Sequence, residues 1–240
     1  MKTSQYTRRS GFTLVELLTV VIIIGLLAAM VAGVAPAVMR SVKQSAIRAE
    51  IQQLSMALES YKAERGEYPP DGTDSSLVTR HIRKCYPEAT STGVYTTVTP
   101  ENALYVFLGM HNANPRNPFG SSPESLKNGG SLTRGFFEFD PARVSSNYCY
   151  LPEGCTEPYI YLKARGATGN KKYYPGNTYV AYGDENDNYY NPESYQIISA
   201  GLDDDWGQKG NVEVAEGNIS AATADNIVNF GKKTVKDLLD

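Results

Sequence analysis

The 240-residue chain has little of what most directly announces chemistry. Its only two histidines, His81 and His111, lie in unrelated segments. There is no G-x-S-x-G, no phosphate-cradling P-loop and no H-E-x-x-H, so no hydrolase arrangement is legible and both histidines read as surface residues. The net charge is only −3, and no basic run interleaves with aromatics, which disfavours a nucleic-acid partner. Cysteine is scarce, and the spacings of Cys85, Cys149 and Cys155 match no zinc pattern. Cys149 and Cys155 bracket a loop-like "CYLPEGC", which suits a short-loop disulfide if that part is extracytoplasmic, or else two free thiols. Cys85 has no evident partner.

Charge is also missing from one long stretch. Leu17 to Met39 is 23 residues without a charged side chain, long enough for a helix to span a bilayer. The stretch before it carries Lys2, Arg8 and Arg9 and no acid, which holds that end in the cytoplasm and sends the remainder outward. A general secretory signal would have a shorter apolar core, although Ala35-Pro36-Ala37 loosely fits a cleavage site. A twin-arginine signal, suggested by Arg8-Arg9, would have a weaker apolar core. Neither accounts for Glu16 at the start of the run. A carboxylate there is costly in hydrocarbon unless it is paired or reaches the interface. A place in the first helical turn makes it tolerable, because the helix dipole favours an acid at the N-terminus.

Gly11-Phe12-Thr13-Leu14-Val15-Glu16, after a basic leader and before an apolar helix, resembles the cleavage and methylation motif of type IV pilins and pseudopilins. The resemblance implies that a prepilin peptidase cuts after Gly11 and that Phe12 becomes the N-methylated first residue. It also implies that Glu16 pairs with the Phe12 amine of a neighbouring subunit. One buried polar pair would then set axial register, as a polar residue does in a coiled coil. Gly25 and Gly33 allow close helix approach in lipid, and Pro36 predicts a kink or local melting over 33–36.

Beyond Met39 the pattern becomes amphipathic. Ile47, Ile51, Leu54, Leu58 and Tyr61 step by four and three, which is one face of a helix, and Gly66 with Pro69-Pro70 ends it. A helix from Thr13 to Arg65 would reach roughly 80 Å at 1.5 Å per residue. Leu58, Tyr61, Lys62, Tyr68 and Pro69 form an L-x-x-Y-K…Y-P pattern that resembles the stem end of major pseudopilins of type II secretion systems.

The expected fold is α+β: a long N-terminal helix, half transmembrane and half amphipathic, packed on a small antiparallel sheet. The divisions are a leader (1–11), a transmembrane helix (12–39), a stem helix (40–66), an insertion (67–147), and a sheet with a C-terminal loop (148–240). Within the insertion, "TPENALYVFLGM" predicts a short helix with Thr99 as cap and Pro100 in first position, and "RGFFEFD" a strand. "PYIYLKA", "NTYVAYG" and "SYQIISAG" predict three antiparallel strands. Eleven of the 17 tyrosines lie from Tyr148 to Tyr195, suiting either sheet packing or a carbohydrate or protein contact. "DENDNYYNPE" lacks the glycine and the last glutamate of an EF-hand and reads as a turn; the sequon at Asn218 is a weak match.

"SAGLDDDWG" and "DNIVNF" resemble the pair of segments that closes major pseudopilins, where a loop wraps one Ca²⁺. Carried over, Asp203, Asp225 and the Ala200 carbonyl are implied ligands, with Asp205 alongside. Asp204 and Phe230 depart from the family pattern, which has Gly and Trp there. Carboxylates and carbonyls suit a hard cation, and binding would add to folding stability. The resemblance thus implies a non-enzymatic filament subunit of a type II secretion pseudopilus. It would sit once across the inner membrane with an extracytoplasmic domain. Its partners would be copies of itself, the prepilin peptidase, the assembly platform with its ATPase, and minor pseudopilins. The alternatives are a pilin of a true pilus or a membrane-tethered binding protein.

Overall fold

The structure, a computed structural model, describes residues 11–90, 98–109, 111–112, 114–119, 132–133, 135–165, 173, 179, 181–183, 188–207, 212–213, 219–231 and 234–239. The chain divides into two compact units, Met1–Val42 and Lys43–Asp240. Helix α1 (Leu14–Arg65) contributes to both. It runs unbroken through Pro36, so the expected melting is absent. Proline deletes only the bond to the Ala32 carbonyl, and the bonds on either side keep the helix going.

In the first unit the apolar side chains point outward. Leu17, Ile22, Leu26 and Met30 are between 57% and 62% exposed. Such a surface suits lipid, and α1 is long and apolar enough to cross a membrane.

In the second unit the stripe is buried. Ile47, Ile51, Leu54, Leu58 and Tyr61 all enter one core, each at 2% exposure or less. Fully burying one such side chain contributes about 1.5–3 kcal/mol. Gly66 stops the helix: its φ of +83° suits glycine, and its N–H donates back to the Lys62 carbonyl at 2.7 Å. The stem is also tied by polar contacts. Glu50 receives bonds from both Arg143 guanidinium nitrogens, from the Tyr150 hydroxyl at 2.8 Å and from the Tyr159 hydroxyl at 2.7 Å.

Helix α2 (Ser75–Cys85) follows, capped by the Asp74 carboxylate, and then α3 (Ala103–Leu108). Asn102 rather than Thr99 stands at the cap of α3, because Thr99 and Pro100 enter a turn that precedes it. Strands β1 (His111–Asn112) and β2 (Leu132–Thr133) pair antiparallel. Gly135–Asp140 forms bends instead of the expected strand. Its phenylalanines pack on the core and on each other, and Phe137 makes a single bond to the Leu108 carbonyl.

The main sheet is antiparallel in the order β3 (Ile160–Lys163), β5 (Tyr195–Ser199), β7 (Ile227–Val228). Two of its strands were expected. The third comes from "DNIVNF", not from "NTYVAYG". Of the latter, Tyr182–Gly183 forms β4, which pairs parallel with β6 (Val212–Glu213), and most of the rest lies outside the described residues. Isoleucine and valine in "DNIVNF" complete the buried edge, with Ile198 opposite Val228 and Ser199 opposite Ile227. A short helix α4 (Ala221–Ala224) precedes β7. Tyr150, Tyr159, Tyr161, Tyr173, Tyr182 and Tyr195 are all buried, so these tyrosines are core rather than contact surface. The α+β layout is the expected one.

Candidate functional site

The N-terminal motif forms a local device. Thr13 is the residue before α1, and Glu16 is the third residue within it. The Glu16 carboxylate accepts from the Thr13 N–H at 2.9 Å and from the Thr13 hydroxyl at 2.7 Å, while the Glu16 N–H donates to Thr13 Oγ1 at 3.2 Å. This reciprocal pair is a capping box, which satisfies donors that the first turn leaves over. Both bonds to the carboxylate fall on Oε2. Among the described residues, Oε1 takes no partner. The bond between Gly11 and Phe12 lies in exposed, non-helical chain, and Phe12 is 83% exposed. The basic leader, Lys2, Arg8 and Arg9, lies outside the described residues.

The acidic turn follows β5. Gly201 has φ +81°, and a Cβ there would fall 2.4 Å from Asp225 Oδ1. The carboxylate of Asp225 therefore lies against the turn, bringing together the two segments that the sequence pairs. The other acids are engaged locally. Asp203 Oδ1 accepts from the Asp205 N–H, and Asp205 Oδ1 from the Gly207 N–H. Asp204, at φ +55°, accepts from the N–H groups of Thr156 and Glu157. Ala200 is buried. Asp203 and Asp205 are exposed, and most of the loop that would close over a cation (208–211, 214–218) lies outside the described residues. Carboxylates and carbonyls are the donors that a hard cation takes, and of the implied residues the Asp225 carboxylate lies against the turn.

Cys149 and Cys155 are free thiols. Of the two readings, the structure has the free thiols, with the two sulfurs turned to different neighbours. Cys149 faces Glu101 Oε2 at 3.8 Å, and Cys155 faces the Gly201 carbonyl at 3.4 Å. Burial pushes the Cys149 thiol up to about 11.

The two histidines are not surface residues. His81 is 1% exposed and His111 6%. Burial pushes each down to about 4, so both imidazoles are neutral at neutral pH. His111 Nε2–H donates to the Val106 carbonyl at 3.2 Å. His81 is bound on both nitrogens: Nδ1–H donates to Glu67 Oε1 at 2.7 Å, and Nε2 accepts the Tyr61 hydroxyl at 2.8 Å. Glu67 Oε2 takes Lys84 at 2.7 Å. Burial alone would raise the Glu67 carboxyl, but the bonds from Lys84 and His81 hold it well below the usual carboxylate range. Cys85 Sγ stands 3.8 Å from His81 Nδ1. A reading by cysteine spacing missed this group. The legible signal is His81-x₃-Cys85 on a helix, which puts both on one face.

The model of the family described as "Prokaryotic N-terminal methylation motif" matches residues 6–32. The chain carries a prepilin-type methylation motif. No curated protein and no solved structure matches. The matched residues contain Gly11, Phe12, the Thr13–Glu16 capping box and the exposed apolar start of α1. Motif and helix together support a type IV pilin-like prepilin that is processed by prepilin peptidase and anchored in a membrane.

Proposed function

We propose that the chain is a structural subunit of a helical filament, and within that class a pseudopilin of a type II secretion system. The observation that carries the filament reading is the matched motif at residues 6–32, continuous with a membrane-length helix that exposes its apolar side chains. Cleavage after Gly11 frees the Phe12 amine. Glu16, already seated at the helix tip with both Thr13 bonds on Oε2, accepts that amine from the next subunit. The apolar part of α1 forms the filament core, and the second unit forms the wall. In this reading the chain waits in the inner membrane with its second unit outside, until an assembly platform and ATPase draw it into the filament with minor pseudopilins.

Two features favour secretion over a true pilus. One is the Leu58, Tyr61, Lys62, Tyr68, Pro69 pattern at the stem end. The other is the approach of Asp225 to the acidic turn, which supports a structural Ca²⁺ held by Asp225, Asp203 and the Ala200 carbonyl, with Asp205 alongside. The test is mass spectrometry of the mature protein from membranes. Chains beginning at N-methylated Phe12 support the reading, and chains uncut at Gly11 overturn it.

A further inference from the structure

We infer that Glu67, His81 and Cys85 form a binding site for a borderline-soft divalent metal of the zinc type. This goes beyond the filament reading and does not depend on it. Among the described residues, these three are the group of metal-capable side chains whose ligand atoms converge, all within 4.8 Å of one another. Ligand bonds of 2.0–2.3 Å in a tetrahedral sphere put ligand atoms roughly 3.3 to 3.8 Å apart. The distance from His81 Nδ1 to Cys85 Sγ, 3.8 Å, already fits. The distance from His81 Nδ1 to Glu67 Oε1, 2.7 Å, is a hydrogen bond and has to open as the metal replaces the proton.

The donor set is built, not incidental. His81 and Cys85 sit four residues apart on α2, on one face. Glu67 comes from the chain just after α1. Lys84 holds Glu67 Oε2, leaving Oε1 toward the histidine. Nitrogen, sulfur and oxygen together favour zinc over calcium or magnesium.

The surroundings support the bound form. A metal-ligating histidine normally donates its other N–H to a fixed acceptor. Here Nδ1 takes the metal and Nε2–H donates to Tyr61 Oη, 2.8 Å away. The Tyr61 hydroxyl hydrogen then turns to Tyr86 Oη at 3.5 Å. The imidazole stays neutral overall. Cys85 gives up its thiol proton to solvent, so binding releases one proton per metal. An opening of about 380 Å³, with Arg80, Lys163 and Arg165 among its lining residues, reaches two of the three ligands, Glu67 and His81. Lys163 Nζ, which also lines this opening, is held by the Tyr68 carbonyl at 2.6 Å. Glu67 and the Cys85 thiolate together carry the two negative charges that balance the ion.

The test uses the full chain in detergent, kept reduced, stripped with a chelator, and titrated with Co²⁺ and then Zn²⁺. The expected result is one Co²⁺ per chain, with tetrahedral visible absorption and a thiolate-to-cobalt charge-transfer band that Zn²⁺ displaces. Cys85→Ala should abolish that band and weaken binding at least tenfold, and Glu67→Gln should weaken binding with the band retained. Cys149→Ser with Cys155→Ser should change neither. Thermal unfolding, followed alongside, should show stabilisation by Zn²⁺ in the parent and none in Cys85→Ala. Absence of stoichiometric binding by the folded parent overturns the site, as does a band that survives in folded Cys85→Ala or disappears with the Cys149 and Cys155 replacements.

Discussion

Thr13 and Glu16 hold each other at the tip of α1: the carboxylate accepts the threonine N–H and hydroxyl, and the threonine oxygen accepts the Glu16 N–H. One glutamate thus has two separable tasks, starting the helix and offering a charge to a neighbour. A capping box works with Gln as well as with Glu. A pairing with an amine needs the charge.

Glu16→Gln should therefore retain helix content and processing at Gly11 but lose assembly. Circular dichroism in detergent, cleavage by immunoblot and filament yield separate the tasks. We expect unchanged helicity and a drop in filament yield of at least tenfold. Normal yield would remove the charge from the mechanism.

Glu50 anchors the stem to the rest of the second unit through Arg143, Tyr150 and Tyr159. Glu50→Ala takes the shared acceptor from the Tyr150 and Tyr159 hydroxyls and leaves the partly buried guanidinium with the Leu151 carbonyl and Asp140 among its remaining acceptors. The cost should be about 3 kcal/mol, read from chemical unfolding. Burial alone would raise this carboxyl, but the bonds from Arg143, Tyr159 and Tyr150 prevail and lower it. A depressed native value means that the contribution is present above about pH 4.3, the ordinary glutamate value, and lost as pH falls through the lower native one. The acid limb of stability should accordingly flatten in Glu50→Gln.

His111 gives a second pH dependence at a different range. Burial, with Arg65 nearby, lowers it to about 4, while the bond to Val106 opposes. Between that value and the unfolded value of about 6.5 the unfolded chain binds the extra proton, so stability falls as pH drops through that window. The loss should reach up to about 3 kcal/mol by pH 4. Unfolding free energies across this range, compared with His111→Gln, should show a shallower slope in the variant.

Calcium should raise the melting temperature of the full chain if Asp225 and the acidic turn bind it. A hundredfold excess over Kd would stabilise by about 2.7 kcal/mol, a shift of several degrees. Asp225→Ala should remove the shift. Gly201→Ala, whose new carbon would meet Asp225 Oδ1, should weaken it. An unchanged melting curve with saturating Ca²⁺ in the parent would end the calcium proposal.

Sequence alone determined the N-terminal motif, the membrane-length run, the stem stripe and two of the three main strands. Each is a local pattern: a contiguous motif, a run without charge, or a period of 3.6 or 2 residues that backbone geometry converts directly into a face. Tertiary structure alone decided what lies across the chain. Ile227–Val228 displaced the expected third strand, because an edge strand is chosen by the partner it can cover and not by its own composition. Packing turned six tyrosines and both histidines inward. It also gave Cys149 and Cys155 different neighbours and brought Glu67 to His81 and Cys85. Side chains far apart in sequence meet only where the core is already filled around them, and no spacing rule carries that information.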